Sequence, residues 1–61
     1  MTNRNGDSIK VGQYLADSEG IYIVTEIDTW RNGAWVDEID VETDQEIASF
    51  FMTANEIKQC W

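Results

Sequence analysis

Residues 35–46, WVDEIDVETDQE, hold six carboxylates and no basic side chain. Asp40, Glu42, Asp44 and Glu46 recur at every second position, a spacing that puts them on one side of an extended chain. Acids in such a pattern could ligate a divalent cation, do acid–base work on a substrate, or attract a basic partner. A calcium loop of the EF-hand kind needs glycine at its sixth position and a bidentate acid at its twelfth. Neither falls in frame here, and carboxylates alternating along a strand do not wrap around an ion. Paired acids for glycoside hydrolysis need a substrate cleft between them, which so small a domain hardly provides. That leaves attraction of a basic protein, including one whose usual ligand is a nucleic-acid backbone that the acids would mimic. Against it stands a plainer explanation, that alternation puts polar residues on the wet side of a strand.

Other catalytic chemistry has little to work with. The chain has no histidine to act as base, and its one cysteine, Cys60, adjoins Trp61. A cysteine on an apolar face is expected to be buried and inert. With no histidine and no second thiol, a zinc site is not indicated. Gly12, Gly20 and Gly33 stand apart, so no glycine-rich phosphate loop exists. No enzyme, no metal and no cofactor are expected.

The net charge of −8 comes from 12 acids and 4 bases. Arg4, Lys10, Arg31 and Lys58 are scattered, whereas nucleic-acid binding needs clustered bases. The same scatter disfavours anionic membranes. No apolar run approaches the ~20 residues of a membrane span, and Met1 to Ser8 contains no apolar signal-peptide core. A soluble protein of a reducing cytoplasm is expected, and a lone cysteine fits it.

The elements that must position the acids are legible from turn signals and β-prone runs. Residues 1–8, MTNRNGDS, are polar and predict a flexible arm. Residues 9–61 then form a single small domain. IKVGQYL (9–15), IYIVTEID (21–28), VDEIDVET (36–43) and IASFFM (47–52) predict four strands. ADSEG and the Asn32-Gly33 step predict turns. TANE is a capping box, with Thr53 and Glu56 exchanging hydrogen bonds. It predicts a helix over about 53–60, with Met52 and Ile57 at the staple positions. Ile57, Cys60 and Trp61 share its face, and Trp61 is the expected anchor. Two turns of helix are not stable alone, so the helix must dock on the sheet.

Two hairpin registers compete. A two-residue loop at Asn32-Gly33 pairs Trp30 with Trp35 but mixes Ile23 and Ile27 with Glu38 and Asp40. A three-residue loop, Arg31-Asn32-Gly33 with glycine left-handed, sets Ile23 opposite Val41 and Thr25 opposite Ile39. Register follows the buried face, which favours the second. The outer face then carries Tyr22, Val24, Glu26, Asp28, Glu38, Asp40 and Glu42, with Asp44 at its edge. Tyr22 and Trp30 beside these acids would supply an apolar anchor for a protein partner.

Seven aromatics exceed what one small core can hide. A chain of this size buries only about 60% of its unfolded surface. Both points predict a homodimer or higher assembly through an aromatic sheet face or strand edge.

At VGQYLADSEGIYIVTEI the chain resembles the opening of small SH3-like β-barrels: a glycine, a short strand, an Asp-x-x-Gly turn, then a β-rich strand with valine at its centre. In length and layout it is also similar to the small accessory proteins of phages and prophages. The resemblance runs as a pattern over about residues 11–61. It implies a mainly β fold, either a four-stranded antiparallel curled sheet or a small barrel, with a short C-terminal helix. It carries over no functional residue. The aromatic groove of eukaryotic SH3 modules is not recognisable here, so polyproline binding is not implied. The expected function is non-enzymatic binding of a protein, with self-assembly into a structural protein as the alternative.

Overall fold

The computed structural model describes residues 1–61. Four antiparallel strands form one sheet in the order of the chain: β1 (Tyr14–Ala16), β2 (Ile21–Asp28), β3 (Gly33–Ile39) and β4 (Glu46–Thr53). A single helix, α1 (Ala54–Lys58), follows directly. β1 and β4 do not pair, so the sheet stays open and is not a closed barrel. No helix is long and apolar enough to cross a membrane.

One face of the sheet is covered. Leu15, Tyr22, Val24, Ala34, Val36 and Met52 point to that side and meet Ile57 and Cys60 from the C-terminal segment and Ile9 from the N-terminal one. Ile27 and Phe50 close its margin. The capping box forms as expected: the Glu56 amide donates to Thr53 Oγ1 at 3.3 Å, and the Thr53 amide donates to Glu56 Oε1 at 3.1 Å. Such a cap is worth about 1 kcal/mol, and the buried Met52–Ile57 staple sets the angle at which the chain turns under the sheet.

The hairpin register differs from both expectations. Val24 faces Val36 and Tyr22 faces Glu38, while Glu26 faces Trp35 and Ile27 faces Ala34. The loop is four residues, Thr29–Asn32, and it is Asn32, at φ 54°, that takes the left-handed conformation. Gly33 already belongs to β3. A β-bulge between Val24 and Glu26 explains the discrepancy. Strict alternation cannot place Val24 and Ile27 on one face, because they are three residues apart. The extra residue, Thr25, reverses the alternation and lets both face the core. Its hydroxyl donates to the Trp35 carbonyl at 3.1 Å. A second irregularity, between Glu38 and Ile39, leaves Ile47 as the extra residue on β4.

Three further expectations are corrected. The first strand is shorter than 9–15, because Lys10–Gln13 turn, with Gly12 at φ 89°. Residues 1–8 are folded against the domain rather than held as a free arm. Asn3 is buried, and its Oδ1 accepts from the Asn5 and Asp7 amides at 3.1 and 3.0 Å. The Arg4 amide donates to the Cys60 carbonyl at 2.7 Å. Lastly, Trp61 is not the helix anchor. The helix has ended by then, and Trp61 lies extended beside β1, its amide donating to the Ala16 carbonyl at 2.8 Å and its carbonyl accepting from the Ala16 amide at 3.1 Å. Its ring is half exposed and sits under the Arg4 guanidinium, 4.5 Å away.

Candidate functional site

The acids and aromatics singled out from the sequence do not form one face. They separate into three places. Tyr22 is in the core, where its ring meets Phe50 edge-on at a centroid distance of 5.6 Å. Its hydroxyl donates to Asp17 Oδ1 at 3.1 Å. It is therefore no surface anchor. Glu26, Asp28 and Trp30 lie at the β2–β3 hairpin tip. Trp30 is 98% exposed. Asp28 is engaged locally, accepting from the Arg31 amide at 3.2 Å and lying 3.7 Å from the Arg31 guanidinium.

Glu38, Asp40, Glu42 and Asp44 lie at the opposite end of the sheet. Only Glu38 is on a strand, on the core side beside Tyr22 and against Gly20. The strand expected over 36–43 ends at Ile39, and residues 40–45 make a loop. Asp40 organises that loop: its Oδ1 accepts from the Glu42 amide at 2.8 Å, and its carbonyl accepts from the Asp44 amide at 2.7 Å. Asp44 sits at φ 59°, a left-handed position that Asp tolerates better than most residues.

The pairing of Ile21 with Ile39 brings the β1–β2 turn to this same end. The turn adds Asp17 and Glu19, and the start of β4 adds Glu46. Seven acids thus surround one end of the sheet, and neither turn contains a base. Sequence reasoning missed Asp17 and Glu19 because they were read as a turn signal only. The available clue was that a hairpin turn leading into β2 must abut the loop that leaves β3.

Beside these acids a groove of about 530 Å³ opens between β1, Ile39 and the C-terminus. Tyr14, Ile21, Ile39, Val41 and Trp61 line it, with Asp44 at its rim. Val41 is 70% exposed and Trp61 55%. These apolar groups border water, and Asp44 is the one carboxylate among the residues that line the groove. No three carboxylates or thiols converge on one point. Cys60 is fully buried, its thiol donating to the Glu56 carbonyl at 3.4 Å, and burial pushes its pKa up. It is unsuited to act as a nucleophile.

Tyr22 carries a pH prediction. Burial first, then its hydrogen bond to Asp17 and the nearby carboxylates, raise its pKa from 10.0 to about 12. Below pH 10 the phenol is neutral both folded and unfolded, and its stabilising contribution is intact. Between pH 10 and 12 the unfolded chain releases this proton while the folded one keeps it, so stability falls as pH rises. Urea midpoints should decline across that window, and Tyr22→Phe should make the decline shallower. Equal slopes in the two proteins would show that the Tyr22–Asp17 contact does not shape alkaline stability.

Comparison of the chain with protein-family models, with curated proteins and with solved structures finds no match.

Proposed function

We propose that the protein is a non-enzymatic binding module for a basic, amphipathic segment of another protein. One observation carries this reading: the groove of Tyr14, Ile21, Ile39, Val41 and Trp61 lies against the end of the sheet that gathers seven acids. The apolar lining would take the hydrophobic side of such a segment, and the acids its lysines or arginines. Unbalanced charge of this kind steers association and sets specificity, and it does so over about a Debye length, roughly 10 Å at physiological salt. Small phage- or prophage-encoded accessory factors that act by occupying a host protein are the class this proposal favours. A basic surface that normally meets a nucleic-acid backbone is one target of suitable chemistry.

The test uses a lysine–leucine amphipathic peptide and calorimetry on the full chain. Binding to the wild type should weaken between about 50 and 500 mM salt. The triple variant Glu42→Gln, Asp44→Asn, Glu46→Gln should lose it. None of these three carboxylates holds an intramolecular hydrogen bond, so the melting temperature should hold or rise as like-charge repulsion is relieved. Val41→Ser should also weaken binding, which separates groove recognition from bare charge attraction. Equal affinity of wild type and triple variant at both salts would overturn the proposal.

A further inference from the structure

We propose that β4 is a self-pairing edge: two copies of this chain join antiparallel along it into one continuous eight-stranded sheet. The first observation is that the sheet's two edges are treated differently. On β1 the outward-directed backbone of Ala16 is already bonded, donating to and accepting from Trp61. On β4 there is no neighbour beyond the strand. The Ala54 amide donates to the Asn32 carbonyl at 2.8 Å, continuing the β3–β4 ladder. Because antiparallel ladders alternate, Met52, Phe50 and Ala48 direct their amides and carbonyls toward β3. Ser49 and Phe51 direct theirs away from the sheet. Thr53, next outward, has its amide held by Glu56.

The second observation is composition. In a chain with a net charge of −8, residues 47–55, IASFFMTAN, carry no charge at all and no proline. Edge strands are normally blunted by charged residues, prolines, bulges or a covering element. This edge has one such device, the irregularity at Ile47, and it lies at the start of the strand. Residues 48–53 are left regular, and Ala48 and Ser49 are small and exposed. An uncharged, β-prone segment of this kind is what pairs with another strand.

The occupant that fits is a second copy, because the edge is self-complementary. Setting Ser49 of one copy opposite Phe51 of the other pairs both free residues of each chain. That register exchanges four main-chain hydrogen bonds about a two-fold axis at Phe50. It sets Glu46 opposite Ala54, so no carboxylate faces another within the paired strands. The acid-rich loops project from the far ends. A joint of this size buries less than the ~800 Å² per partner of a tight interface, so the dimer is reversible and concentration-dependent. The groove beside β1 lies on the opposite edge and stays open in it.

Sedimentation of the full chain over about 5 µM to 1 mM should show reversible monomer–dimer exchange. Association should strengthen with salt, since screening reduces repulsion between two copies of charge −8. Amide exchange should slow with concentration at Ser49 and Phe51, and be slow at every concentration at Ala48, Phe50 and Met52. Ser49→Pro removes an outward amide at a position where an edge accepts proline, and should weaken dimerisation about tenfold or more. If that variant does not fold, amide exchange in the wild type decides. A monomer at every concentration and salt overturns the proposal. So does a dimer in which the Ser49 and Phe51 amides exchange as fast as in the monomer.

Discussion

Gly33→Ala is expected to destabilise the protein by about 3 kcal/mol or more and to leave it largely unfolded at room temperature. A Cβ at position 33 would overlap the carbonyl oxygen of Met52 and the edge of the Phe51 ring. The carbonyl belongs to the neighbouring strand, so it cannot move without opening the β3–β4 ladder. The ring is held by its edge-on packing on Trp35, 5.5 Å between centroids. For a domain of 61 residues, total stability is of the order of 3–9 kcal/mol, so the cost approaches the whole. The sign is the informative part. Gly33 is not at positive φ, and where an alanine fits, glycine to alanine normally stabilises by about 0.4–1 kcal/mol through the unfolded chain. Urea denaturation followed by circular dichroism distinguishes the two. A midpoint equal to or above that of the wild type would mean β3 and β4 are not packed this closely. The neighbouring Asn32 supplies the contrast. It holds the left-handed position of the loop, where glycine is well tolerated, so Asn32→Gly should change stability by only a few tenths of a kcal/mol.

Ile57→Ala should cost about 2–5 kcal/mol, the range for emptying a buried isoleucine site. Ile57 is fully buried, and it is the one residue of α1 that reaches the core. With the staple gone, the buried Cys60 and the main-chain bonds between Trp61 and Ala16 are what still hold the C-terminal segment to the sheet. The loss should therefore show twice, in the urea midpoint and in the reaction of the Cys60 thiol with a disulfide reagent. That thiol is covered in the native fold and should react markedly faster in the variant. Trp61→Ala is the comparison. Its ring is half exposed and loses chiefly the stacked Arg4, worth about 0.5–1 kcal/mol at such a site. Its backbone bonds to Ala16 do not depend on the side chain. A larger cost for Trp61→Ala than for Ile57→Ala would show that the tryptophan, not the helix, anchors this end of the chain.

What was legible in the sequence was whatever short-range chemistry controls. The β-branched run IYIVTEID forms β2 with the expected ends, because its residues suit a pleated surface wherever it packs. TANE caps α1 as expected, because all four residues needed for the box are adjacent. The mainly β class with a terminal helix followed from these local signals. The candidate site was less legible. Of the acids singled out, Glu38, Asp40, Glu42 and Asp44 lie at one end of the sheet and Glu26 and Asp28 at the other. Tyr22 was placed outside and Asp17 and Glu19 were overlooked, because these judgements required the register. Only the tertiary structure decided that register. Whether Val24 or Ile23 faces inward turns on one extra residue at Thr25, and local sequence does not mark it. The bulge forms there because it lets Tyr22, Val24 and Ile27 meet Ala34, Val36 and Phe50 beneath Ile57. A strictly alternating strand would turn either Val24 or Ile27 to water. The burial recovered at such a position, roughly 1.5–3 kcal/mol for a large aliphatic side chain, is available only once β3, β4 and the helix are in place.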